Sequence, residues 1–582
     1  MAALINALDN YSPLQIGENG HTEYGWSNNV RDRILQFNFQ LVRTDKNNSK
    51  YLSIVLKELL STLKDKLKTT VISEKEIARG YLSVLYKMIG HTRDIIDGKG
   101  EYNLTYMMIY TWFEFYPKLA LFALRCLVTN EDKKVHQYGS WKDIKYFCEY
   151  CRNKGAHVFH PLIHYCINLM NEQLKMDYEN YIQSSDNISL VSKWVPREKS
   201  TFGWLYEYLA TNYFINYMET ANTDDRKTKA ILKCKTDYRK LISVLNRKLD
   251  TLQIKQCANN WSNINFNNVT SISVSKQKKA FLNVNKKGET RFPDSDDRNN
   301  CASHFKNHIQ SAIKDGTEVK GKRVGMGDFT KQALDLLTEY KNPSDNTEID
   351  LLNSQWRDNS TQTGALGKMI PMVDVSGSME GDPLHVAIAL GIRIAEKSAL
   401  GKRALTFSAK PSWVNLEPYP DFVSQVQALK QAEWGMNTNF HAALDTILDA
   451  IIQNKMEPED VQDLVLVILS DMQMDVADRN GLTVYDNIKL KYEQAGIRVH
   501  GRPYKPPHIL FWNLRSTSGF PSLSSQSNAS MMSGFSPALL NLFCDQGLDA
   551  LQSCTPWSQL ERTLENERYK VMGDKLNEEL NM

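Results

Sequence analysis

Five oxygen-bearing side chains stand where the ligand-binding edge of a parallel sheet is expected. Two apolar segments, Met369–Val373 and Val461–Leu469, are predicted core strands, and each is followed by an aspartate and at least one serine. A third loop, before a predicted helix, offers a threonine. The five residues are Asp374, Ser376, Ser378, Thr438 and Asp471. Their carboxylate and hydroxyl oxygens suit Mg²⁺, or alternatively Mn²⁺ or Ca²⁺, which prefer oxygen ligands.

The elements that must position these residues alternate in type after residue 364. Apolar runs of strand length are followed by stretches with three- and four-residue apolar spacing, which predicts a largely parallel sheet with helices on both faces. In open α/β sheets of this Rossmann-like kind, ligands lie at the carboxyl ends of the strands. The predicted strands are Met369–Val373, Arg403–Phe407, Val461–Leu469 and His508–Trp512, and the predicted helices are Leu384–Ala399, Asp421–Ala432, Asn439–Gln453 and Asp486–Ala495.

The order Asp-x-Ser-x-Ser, then a loop threonine, then an aspartate after a core strand resembles the metal-ion-dependent adhesion site of von Willebrand A domains. The resemblance implies that Ser376, Ser378 and, in some states, Thr438 bind the metal directly. Asp374 and Asp471 would often act through water, and a carboxylate of a partner protein would complete the shell. Since several ligands are uncharged, the ion keeps positive charge that attracts an acidic group. Two other interpretations stay open: the first turn only caps a helix, or the site holds loops without a metal.

The rest of the chain is predicted to form two further regions. Residues 1–316 are predicted to be an all-α module, because apolar residues recur at helical spacing between polar breaks. Residues 317–363 are predicted to be a polar connector with one helix (Phe329–Tyr340), and residues 364–582 form the α/β domain. The clearest predicted helical segments of the first module are Tyr51–Leu67, Glu76–Ile89, Leu104–Val128 and Leu205–Met218.

The helical module resembles that of TROVE proteins, the Ro autoantigen class, and of a related uncharacterised family that ends in the same adhesion-type domain. The matching residues are Arg93, Asp94, Gly98, Lys99, Gly100, Glu101, Tyr138, Gly139, Trp141, Asp143, Lys193, Trp194 and Pro196. The resemblance implies a ring or arc of HEAT-like helical repeats that binds single-stranded or structured RNA. The alternative is that these residues are structural, with the glycines in a turn and the tryptophans in the core.

A basic stretch gives local support to RNA binding. Six cationic residues lie between Val274 and Phe292, with Phe281 among them, and they could contact phosphates. These residues are Lys276, Lys278, Lys279, Lys286, Lys287 and Arg291. The alternative is a solvated loop that keeps the protein soluble.

Familiar catalytic patterns are absent from the sequence, so we expect a binding or scaffold protein and not an enzyme. The segment from Gly391 to Ser398 resembles a phosphate-binding loop, but it lacks the second glycine and is predicted to be mid-helix. Cys148 and Cys151 are predicted to be buried helix cysteines and not zinc ligands. A histidine placed to activate Ser376 is not evident, since His385 is expected in the first turn of the next helix.

Composition favours an intracellular protein. The net charge of +3 hides an asymmetry: residues 361–582 hold 19 Lys+Arg against 26 Asp+Glu, so the first part is mildly basic and the second mildly acidic. The chain starts without a secretory signal, its apolar runs are too short to span a bilayer, and its nine cysteines lack regular spacing. We expect a cytoplasmic location without a membrane partner. The resembled family includes members from large DNA viruses, so a virion or viral factory is expected if the chain is viral.

Overall fold

The computed structural model describes residues 13–43, 46–130, 135–339, 346–432, 438–475, 482–517, 519–544 and 548–581. Two regions differ in architecture: a helical half up to residue 316, and a half built on a six-stranded mixed sheet. None of the helices in these ranges is both long and apolar enough to cross a lipid bilayer.

The helical half begins with a small antiparallel hairpin of strands β1 (Leu14–Ile16) and β2 (Thr22–Tyr24). Helices follow in sequence. They are α1 (Val30–Gln40), α2 (Lys46–Lys66), α3 (Ile72–Arg93), α4 (Asn103–Phe115), α5 (Pro117–Cys126), α6 (Lys142–Asn153), α7 (Pro161–Ile182), α8 (Val191–Trp194), α9 (Gly203–Tyr213), α10 (Ile215–Glu219), α11 (Asp224–Lys248), α12 (Leu252–Cys257), α13 (Ser271–Phe281) and α14 (Asp296–Lys314), with a 3₁₀ turn at Phe266–Asn268.

The second half is built on one sheet with the strand order β5-β4-β3-β6-β7-β8. All neighbours run parallel except the edge pair β4 and β5. The strands are β3 (Met369–Asp374), β4 (Arg403–Phe407), β5 (Ser412–Asn415), β6 (Val465–Ser470), β7 (His508–Asn513) and β8 (Ala529–Ser533). Strands β3, β6, β7 and β8 are buried along their whole length, as expected for parallel strands covered on both faces.

Helices cover both faces of this sheet, and successive strand residues alternate between two hydrophobic cores. In β6, Leu466 and Ile468 face the core shared with the helical half, whereas Val467 and Leu469 face the other. The helices of this half are α15 (Met326–Glu339), α16 (Thr347–Ser360), α17 (Asp382–Lys397), α18 (Phe422–Gln431), α19 (Phe440–Gln453), α20 (Pro458–Gln462), α21 (Val484–His500), α22 (Leu548–Gln552), α23 (Pro556–Leu564) and α24 (Lys570–Leu580), with 3₁₀ turns at Gly377–Met379, Pro537–Phe543 and Glu567–Tyr569.

The C-terminal helices cross back onto the helical half. Helices α23 and α24 both pack against α3, and the buried residues Trp557, Tyr569 and Met572 belong to the core that contains the N-terminal helices. Just before α24, the Arg568 guanidinium donates twice to the Asp94 carboxylate at 2.6 Å. Residues on both sides of the predicted boundary at residue 364 therefore share one hydrophobic core.

Several of the residues singled out in the helical module make buried polar contacts, some of them with the second half. Arg93 donates to both Asp143 oxygens, at 2.7 and 2.9 Å, and both residues are buried. Lys99 is also buried, and its Nζ donates to the Asn38 and Leu41 carbonyls and to the hydroxyl of Ser533, the last residue of β8. Lys99 therefore joins the two halves, whereas the Arg93–Asp143 pair lies within the helical half.

Several predicted elements differ from the observed ones. The segment Leu104–Val128 is two helices, α4 and α5, because Pro117 cannot continue the first helix and starts the second. Leu205–Met218 is divided between α9 and α10. The segment 317–363 contains two helices, α15 and α16, and not one, and both pack on the sheet side that holds α17 and α18. Strands β5 and β8 were not predicted.

Two of the rejected motifs are helical, as the sequence predicted. Gly391 lies in the middle of α17, where an added Cβ would stand 2.5 Å from Val373 Cγ2, so glycine permits close packing of this helix on β3. Cys148 and Cys151 are buried on α6. The glycine therefore has a packing role, and the cysteines lie in the core.

Candidate metal site at the carboxyl edge of the sheet

Asp374 ends strand β3 beside the end of β6. The two strands are paired in parallel, with Val373 opposite Leu469, so the residues that follow them meet at one edge. The Ser470 hydroxyl donates to Asp374 Oδ2 at 2.6 Å, and the Ser376 amide donates to Oδ1 at 3.0 Å. Both carboxylate oxygens of this fully buried residue are thus held in place.

The two serines of the Asp-x-Ser-x-Ser turn bring their hydroxyls together. Ser376 Oγ and Ser378 Oγ lie 3.2 Å apart, across the start of the 3₁₀ turn Gly377–Met379. Ser376 is buried, whereas Ser378 is half-buried and lines an open cleft. The pair therefore offers two neutral oxygens at the boundary between the interior and solvent.

Asp471 supplies the second carboxylate, and it is also fully buried. The backbone amide of Gln473 donates to Asp471 Oδ1 at 3.1 Å, and Arg515 Nη1 donates to Asp471 Oδ2 at 3.2 Å. Burial, and secondarily the negative charge of Asp471, raise the pKa of Asp374 to about 7. The two carboxylates are close enough to repel each other, and the Arg515 guanidinium pairs with Asp471.

Thr438 lies at the same edge, on the side of helix α19. Its amide donates to Asp475 Oδ2 at 2.9 Å, and its carbonyl accepts from the Asp475 amide at 3.0 Å, which ties it to the loop after β6. The next residue, Asn439, donates its amide to the Ser408 carbonyl just beyond β4. Of the predicted loop, Gly435, Met436 and Asn437 lie outside the described residues.

The donor set fits a hard divalent cation. Within the described ranges, no group of three or more His, Cys, Asp or Glu side chains is placed to hold a metal. The candidate site has only two acidic residues, and hydroxyls would have to supply the remaining protein ligands. Buried carboxylates that repel each other are stabilised by a cation, and oxygen-only ligands suit Mg²⁺. The residues that would hold it are Asp374, Ser376, Ser378, Thr438 and Asp471.

The site opens into a cleft of about 610 Å³ between the two halves of the molecule. Ser378 and Arg515 belong to the α/β half, whereas Trp26, Arg43 and Tyr51 come from the helical half. Sequence analysis missed this shared wall. Arg515 could have been found, because it follows strand β7 and therefore reaches the same sheet edge as Asp374 and Asp471.

The N-terminal hairpin covers the loop that follows β6. The Glu18 amide donates to Gln473 Oε1 at 2.6 Å, and Asn19 Nδ2 donates to the Gln473 carbonyl at 2.9 Å. Gly20 forms a bridge with Asp475. Residues 18–20 therefore lie against the loop that follows Asp471, and Glu18 lines the same cleft as Ser378.

The predicted RNA-binding residues are brought together in a different place. All six, Lys276, Lys278, Lys279, Lys286, Lys287 and Arg291, line one groove of about 670 Å³ formed by α13 and the loop after it. Lys278 forms an ion pair with Glu348 at 3.1 Å and donates to Gln332 Oε1 at 3.0 Å, and neither of these two residues lines the groove. Phe281 is fully buried against Phe266 and Phe305, so its ring does not face the groove.

Comparisons with known proteins find similarity to sequences whose functions are not described. One family model, a domain of unknown function (DUF7788), matches residues 368–579, and another (DUF2828) matches residues 149–295. The chain is 28% identical over 505 residues to "Uncharacterized protein L728" of Acanthamoeba polyphaga mimivirus, which covers 83% of this chain and 79% of that protein. The similarity therefore extends over both halves, and the DUF7788 match includes the C-terminal helices that return to the helical half.

Proposed function

We propose that this protein is a non-enzymatic binding protein that takes up an acidic group of a partner protein through Mg²⁺ at the edge of a von Willebrand A-type domain. The supporting observation is the convergence of Asp374, Ser376, Ser378 and Asp471 after two adjacent parallel strands. When bound, the metal supplies positive charge that attracts a carboxylate. The sheet has four parallel strand pairs and helices on both of its faces, which is compatible with this class of domain.

The chain's own residues would orient the acidic group. The Ser470 hydroxyl and the Ser376 backbone amide fix the position of the Asp374 carboxylate. The Gln473 backbone amide fixes the Asp471 carboxylate in the same way. Arg515 balances the charge of Asp471 without metal, and it becomes available to an anionic ligand if a cation takes over that role.

Metal binding is best tested with Mn²⁺ as the probe, by electron paramagnetic resonance of the free ion, and with Mg²⁺ as competitor. We expect the wild-type protein to deplete free Mn²⁺ and Asp374→Asn to lose this binding. Asp463→Asn is a matched control, because Asp463 precedes β6 at the opposite edge of the sheet, where it pairs with Lys368. Equal Mn²⁺ binding by wild type and Asp374→Asn would refute the proposed site.

A second proposed function is RNA binding by the helical half, as a TROVE-like arc of HEAT-like repeats. It is favoured by the six cations that line one groove, where Glu289 is the single acidic residue of the lining. Phosphate contacts would make binding of single-stranded or structured RNA strongly salt-dependent.

Fluorescence anisotropy with a labelled single-stranded RNA tests this second function. The double variant Lys276→Glu and Lys287→Glu should weaken binding and reduce its salt dependence. A control with the same change in net charge is Lys229→Glu with Lys240→Glu, two exposed positions on α11. Equal loss in both double variants would show that the groove has no particular role.

A further inference from the structure

Arg515 brings a positive charge of the chain itself to the carboxyl edge of the sheet. Its Nη1 atom lies 3.2 Å from Asp471 Oδ2, and Asp471 is fully buried. Within the described ranges, Asp471 is the one carboxylate that lies at ion-pair distance from this guanidinium. A carboxylate whose charge would attract a divalent cation is therefore already paired with a cation.

The backbone of the loop that carries Arg515 is fixed on both sides of the ion pair. The Leu514 amide donates to the carbonyl of Ser470, the last residue of β6, at 3.0 Å. The Arg515 amide donates to Asn513 Oδ1 at 3.1 Å, and Asn513 Nδ2 donates to the Phe39 carbonyl of the helical half, also at 3.1 Å. Because these bonds hold the backbone, the guanidinium leaves Asp471 by rotation of its own side chain.

The cleft offers other partners to a guanidinium that has left Asp471. Glu18 and Glu380 line the same cleft as Arg515, and neither carboxylate forms an ion pair with the described residues. The Arg515 side chain is 42% exposed and borders a space of about 610 Å³, so it has room to turn. The guanidinium thus has two sets of partners, the buried Asp471 carboxylate and the carboxylates of the cleft.

A divalent cation bound by Asp374 and Asp471 would lie beside this guanidinium. Like charges a few Å apart repel strongly where protein shields them from water. We infer that Arg515 is an internal competitor of the metal, which neutralises Asp471 when no metal is bound, lowers the affinity of the site for divalent cations, and turns to the cleft carboxylates when a cation binds. The inference rests on the proposed metal-dependent function, whose regulation it describes.

The first test compares Mn²⁺ affinities of full-length variants by electron paramagnetic resonance of the free ion. Arg515→Gln should bind Mn²⁺ about tenfold more tightly than wild type, which corresponds to about 1.4 kcal/mol. Adding Asp374→Asn to this variant should remove the binding. The matched control is Arg498→Gln, with the same change in net charge and no expected change in affinity. Arg498 is exposed near the end of α21, which leads to the start of β7 and hence to the opposite edge of the sheet.

A second measurement uses wild type, because Arg515→Gln leaves the buried Asp471 carboxylate without its ion pair and lowers stability. Phenylglyoxal reacts with arginine side chains, and an ion pair protects them. Modification of Arg515, followed by peptide mass spectrometry, should be several-fold faster in Mg²⁺ than in EDTA. The exposed Arg498 serves as the internal reference and should react at the same rate in both.

The two proposals can fail separately. If Arg515→Gln binds Mn²⁺ no more tightly than wild type, or if wild type binds Mn²⁺ but Arg515 reacts equally with and without Mg²⁺, Arg515 is not a competitor and the metal site stands. Equal tightening in Arg498→Gln would reveal a general effect of net charge and would also overturn the inference. If neither wild type nor Arg515→Gln binds Mn²⁺, or if binding survives Asp374→Asn, the proposed function fails and the inference falls with it.

Discussion

Replacing Asp374 by Asn should have opposite effects on stability with and without metal. Asp374 is fully buried beside Asp471, and its pKa is raised from 3.8 to about 7. This shift corresponds to about 4 kcal/mol, since one pKa unit is about 1.4 kcal/mol. Because the folded state binds the proton more tightly than the unfolded chain does, this carboxyl makes the metal-free protein less stable as pH rises from about 4 through 7.

The assay is denaturant unfolding of wild type and Asp374→Asn at pH 5 and pH 8, in EDTA and in Mg²⁺. In EDTA we expect the variant to gain about 2–3 kcal/mol of stability over wild type between the two pH values, because part of the full effect of about 4 kcal/mol is already present at pH 5. Asn can still accept from the Ser376 amide, and the Ser470 hydroxyl can accept from the new amide group. In Mg²⁺ at pH 8, wild type should gain about 2.7 kcal/mol at a free concentration a hundredfold above the dissociation constant, and the variant should gain little.

The quantity compared is the difference in unfolding free energy between wild type and Asp374→Asn. The contributions of the other carboxyl groups, which titrate in both proteins, cancel in this difference. A difference in unfolding free energy that is the same at pH 5 and pH 8 would show that Asp374 is not a buried charge in conflict with Asp471. Stabilisation of Asp374→Asn by Mg²⁺ to the same extent as wild type would place the ion elsewhere. Either result would refute the reasoning that joins the two carboxylates to a cation.

Three further substitutions test the packing that positions the site. Arg568→Leu leaves the buried Asp94 carboxylate without its ion pair, and it should lower the unfolding free energy by about 3–5 kcal/mol in denaturant titrations. Burial lowers the pKa of Lys99 to about 7, so that the unfolded chain binds a proton that the folded protein lacks between pH 7 and 10. The stability of wild type relative to Lys99→Met should therefore rise over this range, as followed by thermal unfolding. Gly391→Val should cost about 1–3 kcal/mol, because its side chain would collide with Val373, whereas an unchanged melting temperature would contradict that packing.

The central strands, and the meeting of Asp374 and Asp471 at one end of the sheet, could be predicted because local sequence determines them. Strands β3, β4, β6 and β7 are runs of apolar residues buried on both faces, and the residue types change abruptly where β3 and β6 end. The rule that ligands meet at the carboxyl ends of parallel strands then brings Asp374 and Asp471 together, and the Asp374 contact with Ser470 agrees with it. The identity of the ion and the class of domain stay predictions.

The cleft could not be predicted, because its walls come from distant parts of the chain. Strands β1 and β2 have three residues each and are stabilised by bridges to the loop after β6 and to Phe520, which local propensity does not reveal. Strand β5 is a short edge strand with a half-exposed pattern, and it resembles a loop in sequence. The return of α23 and α24 to the helical half depends on tertiary contacts of Trp557 and Arg568, which helical spacing alone does not indicate.

The loop after β7 contains Arg515, which pairs with Asp471, and several hydrogen bonds attach this loop to the helical half. The side-chain amide of Asn513 donates to the Phe39 carbonyl at 3.1 Å. Gln40 Oε1 accepts hydrogen bonds from the Ser516 hydroxyl and from the Thr517 backbone amide. Removing residues 1–316 would therefore release Arg515 as well as expose the apolar sheet face that packs on the N-terminal helices. For this reason the two halves cannot be treated as separate functional modules. The Arg515 partner of Asp471 and the walls of the cleft both depend on contacts with the N-terminal helices. The bond from the Thr517 backbone amide to Gln40 joins residues that are 477 positions apart in sequence.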